Sequence, residues 1–254
     1  MLKTTFGQCL FESSSGLRVY QNAWYRWLTF GNNILQSVIN RRHPENAGLK
    51  YIIPLTQMVL AFPGDCCLLG LGGAGVAHTL YPALSTSRVV AVDSCLEVIN
   101  IARQYFMTSR ILNLTTVHLQ ASTFVQSPSA SYQHLIIDLH NGNDYPIECN
   151  NDAFFTDCKA MLNPEGILAI NLINIKDKIQ LLQRIRTIFN HYTLIVPIKG
   201  TTNTLIFAFN LLPSDLFLKR IEKMKWIKNL VWDTTCGLIG QLNFNLQSSL
   251  LVSK

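Results

Sequence analysis

Five residues, Lys199-Gly200-Thr201-Thr202-Asn203, separate two apolar, β-branched runs, Tyr192–Ile198 and Thr204–Asn210. A crossover between parallel strands needs a dozen residues or more, so these two runs can pair only as an antiparallel hairpin. Upstream the rhythm is different. Cys66–Leu71, Arg88–Asp93, Thr115–Gln120, His134–Leu139 and Gly166–Leu172 are short strand-like runs bounded by turn residues. Between them lie stretches with helical spacing, such as Leu96, Ile99, Ile101-Ala102 and Tyr105-Phe106, or Phe154-Phe155, Cys158 and Met161-Leu162. Ile179–Phe189, with Leu181-Leu182, Ile185 and Ile188-Phe189 on one face, supplies a helix before the hairpin. Strand–helix alternation implies a parallel sheet, here closed by one antiparallel pair.

That layout is an α/β fold of the class I methyltransferase-like Rossmann kind; a dehydrogenase-type sheet would keep alternating. Residues 1–50 read as a small N-terminal β unit, with alternating runs around Leu17–Tyr20 and Tyr25–Phe30 and turn signals at Ser13-Ser14-Ser15-Gly16 and Gly31-Asn32-Asn33. Residues 51–213 form the nucleoside-cofactor domain. Residues 214–254 begin with Ser214-Asp215 as an N-cap, continue as a helix through about Lys228, and end in a tail with little pattern.

Bulk composition narrows the class. With 254 residues, 48% apolar and 14% charged, and a mean hydropathy of +0.21, the chain can bury a large core and suits a sheet covered on both faces. Its longest apolar stretches, Ile167–Ile175 and Tyr192–Ile198, fall well short of the roughly 20 residues of a membrane span. The start, Met1 to Gln8, lacks the apolar run of a secretory signal, so a cytoplasmic protein without a membrane partner is expected. None of the seven cysteines lies in a Cys-x-x-Cys pair or at zinc spacing with His, which points to reduced structural thiols and no metal. A net charge of +6 admits an acidic partner. The basic residues are dispersed except for Lys219-Arg220 and Lys223 to Lys228, which read as a solvated helix face, so nucleic acid is not expected.

The chemistry concentrates at strand ends. The first parallel strand runs into Gly70-Leu71-Gly72-Gly73-Ala74-Gly75 and then a helix, a turn that lets backbone approach a ligand closely and offers free amides. The next strand ends in Asp93, about twenty residues on, where a carboxylate can accept from both ribose hydroxyls of a nucleoside. Capping of the helix that starts near Leu96 is the bland role for Asp93. Asp138 ends the fourth strand, beside the first, facing the cofactor crevice as a candidate general base; capping the loop His140 to Asp144 is its bland role. His140 is a weaker base candidate. No Gly-x-Ser-x-Gly, Walker lysine or His-Glu-x-x-His is present, which removes the main support for hydrolase, kinase and metalloprotease readings.

From about Val19 to about Phe209 the chain resembles the spermidine synthase family, the aminopropyltransferases. The resemblance rests on Leu28-Thr29-Phe30-Gly31, Leu35-Gln36-Ser37-Val38, Tyr51, Leu69–Gly75, Val92-Asp93, Ala102–Phe106, Ile136-Ile137-Asp138, Phe154-Phe155 and Leu162–Leu168. It implies transfer of an aminopropyl group from decarboxylated S-adenosylmethionine to an amine such as putrescine, without a metal. Gly70, Gly72 and Gly73 would line the cofactor, Asp93 would hold the ribose, and Gln120 would meet the adenine amino group. Asp138 would take the proton of the attacking amine, and Gln36 and Tyr51 would border the aminopropyl group and amine. A homodimer joined through the N-terminal region is also implied. The chain departs from the family pattern at Asn141, where a second Asp is usual, at Gln120, where an acid is usual, and after Gln36 and Tyr51, where acids are missing. Asp144 and Glu148 are nearby acids that would compensate. The alternatives are an S-adenosylmethionine-dependent methyltransferase, served by the same turn and Asp93, and a non-catalytic relative that keeps the fold.

Overall fold

The computed structural model describes residues 4–31, 34–127, 130–140, 145–210, 214–222 and 224–243. The loop expectations at Asn141 and Asp144 lie outside the described residues. Four strands, β1 (Gln8–Glu12), β2 (Leu17–Gln21), β3 (Tyr25–Phe30) and β4 (Ile34–Asn40), form an antiparallel N-terminal sheet in sequence order. Its inner residues Leu17, Val19, Leu28 and Ile39 pack with Ile101 and Phe106.

After α1 (Ile52–Ala61) the chain enters the alternating region: β5 (Cys66–Leu69), α2 (Gly75–Leu80), β6 (Val89–Asp93), α3 (Leu96–Tyr105), β7 (Leu114–His118), α4 (Ala121–Gln126), β8 (Tyr132–Ile137), α5 (Asp152–Ala160) and β9 (Leu162–Ile173). Then follow α6 (Ile179–Ile188), β10 (Thr193–Pro197), β11 (Asn203–Phe209), α7 (Ser214–Glu222), β12 (Ile227–Asp233) and β13 (Gly237–Leu242). The large sheet has the order β12-β13-β10-β11-β9-β8-β5-β6-β7. β5 through β9 pair in parallel, and β11 enters antiparallel to both β9 and β10. The hairpin required by the five-residue spacer is therefore present, with Thr193 opposite Ala208 and Pro197 opposite Thr204.

The oiliness of the strands follows from burial on both faces. All four residues of β5 are buried, and because side chains alternate across a sheet, Cys66 and Leu68 join one core while Cys67 and Leu69 join the other. The first core is closed by Leu55 and Met58 of α1, Ile99 of α3 and Phe217 and Ile221 of α7; the second by Phe154 and Phe155 of α5 and Leu181, Leu182 and Ile185 of α6. Burial drives the Cys67 thiol up to about 12, which keeps it a neutral apolar filler.

The C-terminal region differs from the sequence expectation. The helix beginning at Ser214 stops at Glu222 instead of reaching Lys228, and Ile227 opens a β-hairpin. Its second strand adds in parallel to β10, pairing Leu194 with Leu238 and Ile195 with Ile239. The cause is tertiary: β10 would otherwise leave an open edge, and an apolar strand beside it satisfies that edge. Locally, Asp233 Oδ1 accepts from the Thr235 and Cys236 amides to form the turn, at 2.9 and 2.6 Å. Arg186 of α6 reaches the same turn at the Thr235 carbonyl. Of the basic cluster, Arg220 pairs with Glu165, and Lys228 lies on β12. Among the described residues no helix is long and apolar enough to cross a membrane.

Candidate functional site

The chain leaves β5 for β6 and β7 on one side and returns through β8 on the other, so the carboxyl ends of β5, β6 and β8 bound a crevice at a topological switch point. A cavity of about 640 Å³ opens there. Its wall includes Gly70, Gly72, Asp93, Gln120 and Asp138 from the large sheet, and Gln36 and Tyr51 from the N-terminal sheet and the approach to α1. The fold thus gathers around one space seven of the eight residues to which the family resemblance gives a role.

Gly73 is the eighth, and it turns inward instead. Its N–H donates to Ser37 Oγ at 2.8 Å, and a Cβ there would stand 2.7 Å from Ser37 Cβ and 2.9 Å from the Phe106 ring. The residue serves contact between the turn and β4, and the space has no room for any side chain. Gly70 is constrained differently. Its φ of +99° is left-handed, and a Cβ would collide with the carbonyl oxygen of Asp138.

The turn's amides are largely spent within the protein. Asp93 Oδ2 accepts from the Leu71 and Gly72 N–H groups at 3.0 and 3.4 Å, while Oδ1 accepts from Cys95 N–H at 3.0 Å. Asp93 therefore clamps the glycine turn to the end of β6. It precedes the α3 N-cap, which is Cys95, and does not cap the helix itself. Gln120 stands at the N-cap of α4, two residues past β7, exposed toward the cavity.

Asp138, one residue beyond β8, is held by side chains. Tyr51 Oη donates to its Oδ2 at 2.8 Å, and Asn171 Nδ2 donates to its Oδ1 at 2.9 Å. Asn171, on β9, is fully buried, and its own Oδ1 accepts from Asn203 Nδ2 at 2.9 Å. A hydrogen-bonded relay thus runs from the start of β11 through β9 to the carboxylate. Burial, then the charge of Asp138 and the bond to it, push the Tyr51 phenol well above its ordinary range, so Tyr51 stays a neutral donor. His140 also lines the cavity, its Nε2 3.5 Å from Asn171 Nδ2. Among the described residues no three His, Cys, Asp or Glu side chains converge as a metal site.

Sequence reasoning passed over Asn171, Asn203, Ser37 and Lys50, all but Asn171 in the cavity wall. Asn171 did carry a signal, an amide inside the apolar run Ile167–Ile173. An amide there must find partners or cost stability. Asn203 carried none, since in the sequence it closes the five-residue spacer, where Asn is common, although the structure makes it the first residue of β11.

No family model matches the chain. Among curated proteins, it is 24% identical over 203 residues to the polyamine aminopropyltransferase of Neisseria meningitidis serogroup A, covering 78% of this chain and 77% of that one. It is 22% identical over 249 residues to the polyamine aminopropyltransferase of Chromobacterium violaceum, covering 95% of each. Among solved structures it resembles a probable spermidine synthase from Corynebacterium glutamicum, with a TM-score of 0.69, 17% identity and 87% of both chains covered. It also resembles a spermidine synthase in complex with the transition state analogue AdoDATO, with a TM-score of 0.67, 15% identity, and 97% and 86% covered. Human methyltransferase-like protein 13, in complex with SAH, aligns with a TM-score of 0.58, 18% identity, and 74% and 96% covered. The α/β methyltransferase-like fold read from the sequence is the fold of these neighbours.

Proposed function

We propose that this chain, a divergent member of the spermidine synthase family, moves an aminopropyl group from decarboxylated S-adenosylmethionine to an amine acceptor, for which putrescine is the reference compound. The observation that carries this reading is Asp138, a carboxylate fixed between Tyr51 and Asn171 in the wall of the cavity that the glycine turn and Asp93 also line.

The residues fit such a donor. A space of about 640 Å³ is in the usual range for ligand sites of this size. Backbone amides take three of the roughly four lone-pair sites of Asp93, and the one left on Oδ1 can accept from a ribose hydroxyl. The Gln120 side-chain carbonyl can accept from the adenine amino group, as an acid would. Gly70 and Gly72 leave the sulfur-bearing chain room to pass, with Gln36 and Tyr51 bordering it. When bound, the sulfonium supplies an activated leaving group, so the protein's task is alignment and proton removal. The amine nitrogen forms the new bond to the propyl carbon, and the carbon–sulfur bond breaks with its electron pair going to sulfur, leaving a neutral thioether. Asp138 takes the proton that the amine gives up. Tyr51 and Asn171 aim the carboxylate and leave it lone pairs for that proton.

Calorimetry with decarboxylated and ordinary S-adenosylmethionine tests the donor. Tight binding of the decarboxylated form alone is expected; preference for the ordinary form favours a methyltransferase, and binding of neither favours a non-catalytic relative. Asp138→Asn tests the base: kcat/KM for aminopropyl transfer should drop by about 10²–10⁴. Undiminished transfer by that variant rules out Asp138 as the base.

A further inference from the structure

The cavity wall is electrostatically two-sided. Its carboxylates, Asp93, Glu97, Asp138 and Glu148, come from the ends of β6 and β8 and the segments that follow them. The side built by the approach to α1 and by β9 and β11 contributes Leu49, Lys50, Ile173, Thr201 and Asn203, with no carboxylate. Among the described lining residues Lys50 is the one charged group on that side. Its ammonium reaches across to the β10–β11 turn, where Nζ lies 3.4 Å from the place a Cβ on Gly200 would occupy.

Several polar groups on this side are already engaged. The Tyr51 hydroxyl is spent on Asp138. Thr201 Oγ1 donates to the Ile198 carbonyl at 2.9 Å and accepts from Asn203 N–H at 3.1 Å. Asn203 Nδ2 gives one of its two N–H groups to Asn171. Lys50 brings the charged donors of this side, and no carboxylate among the described residues pairs with it. An acceptor whose reacting nitrogen meets Asp138 and whose other end lies toward this side meets an ammonium that no described carboxylate pairs. A second cationic amine is repelled there, whereas an anion finds a partner.

We infer that the acceptor is an ω-amino acid or similar amine, with its single nitrogen at Asp138 and a carboxylate at the far end paired with Lys50. The inference rests on the aminopropyl-transfer reading. The bond changes are those already given, so the product is an N-aminopropyl amino acid and the methylthio-nucleoside.

The test is an isosteric series of equal chain length: γ-aminobutyrate, n-butylamine and putrescine, with distal charge negative, absent and positive. Wild-type kcat/KM should fall in that order, by roughly tenfold or more from first to last. Lys50→Glu should reverse the order, and Lys50→Met should flatten it. Lys50 is exposed, so both variants are expected to fold. Wild-type preference for putrescine over n-butylamine overturns the inference and leaves aminopropyl transfer standing, as does an order indifferent to Lys50→Glu. Failure to release the methylthio-nucleoside with any of the three amines, despite binding of the decarboxylated donor, overturns the transfer reading and this inference with it.

Discussion

Asp93 and Asp138 stand at the ends of strands that flank β5, yet they are held in different ways. Asp93 accepts from three backbone amides, those of Leu71, Gly72 and Cys95, all within about twenty residues of it in sequence. Asp138 accepts from two side chains, Tyr51 and Asn171, which lie 87 and 33 residues away. Backbone amides at a strand end have little freedom to move, so the Asp93 side of the cavity is built into the fold. Side-chain donors can be exchanged without disturbing the sheet. The proposed nucleoside side is thus the part least free to change without disturbing the sheet, and the proposed acceptor side the part where side chains can be exchanged.

The most severe way to break this arrangement is at Gly70, which touches both halves. Gly70→Ala adds a Cβ at a left-handed φ against the Asp138 carbonyl. It should destabilise the protein by about 2–4 kcal/mol and abolish donor binding, read by thermal denaturation and calorimetry. A smaller loss is expected for Asp93→Ala, which orphans the turn amides. It should weaken donor binding by about 2 kcal/mol and lower stability, whereas removing the Tyr51 hydroxyl should leave the donor's Kd within a few-fold of wild type. Equal losses of donor affinity in the two variants would erase the proposed distinction.

Acid sharpens the comparison from the other end of β8. His134 is buried, its Nε2 2.6 Å from the Phe62 carbonyl and its Nδ1 without a partner, and burial lowers its pKa from 6.5 to about 4. Because the folded value lies below the unfolded one, the neutral ring's contribution is fully present above pH 6.5 and is lost as pH falls toward 4. The melting temperature should therefore drop by several degrees over that window, at about 2–4 °C per kcal/mol, and His134→Gln should flatten the slope. The smallest effect belongs to Asn203→Ala, which frees Asn171 from its second partner. It should lower kcat by about three- to tenfold with donor affinity unchanged and shift the pH profile of kcat; Asn203→Gln should restore part of the rate. A loss of stability with an unchanged pH profile would make Asn203 merely structural.

These contrasts also explain what could be read in advance. The Asp93 clamp is local, so strand, glycine turn and acid announced themselves by spacing. A glycine that admits a ligand and one that admits a neighbouring strand look alike in sequence, and at Gly73 only the structure shows the contacts to Ser37 and Phe106. The sequence predicts helix and tail where the C-terminal hairpin stands, because nothing within 227–242 states that β10 has an open edge to be filled. Asn171 was visible only as an amide out of place in an oily strand.

By itself, the sequence determined the alternating order of elements, the closing hairpin and the meeting of Gly70, Asp93 and Asp138 at adjacent strand ends. Each of these follows from short-range periodicity and chain reach. Only the tertiary structure decided what surrounds Asp138. Tyr51, Asn171 and Asn203 come from the approach to α1 and from β9 and β11, and their meeting depends on packing between distant segments that no local pattern encodes.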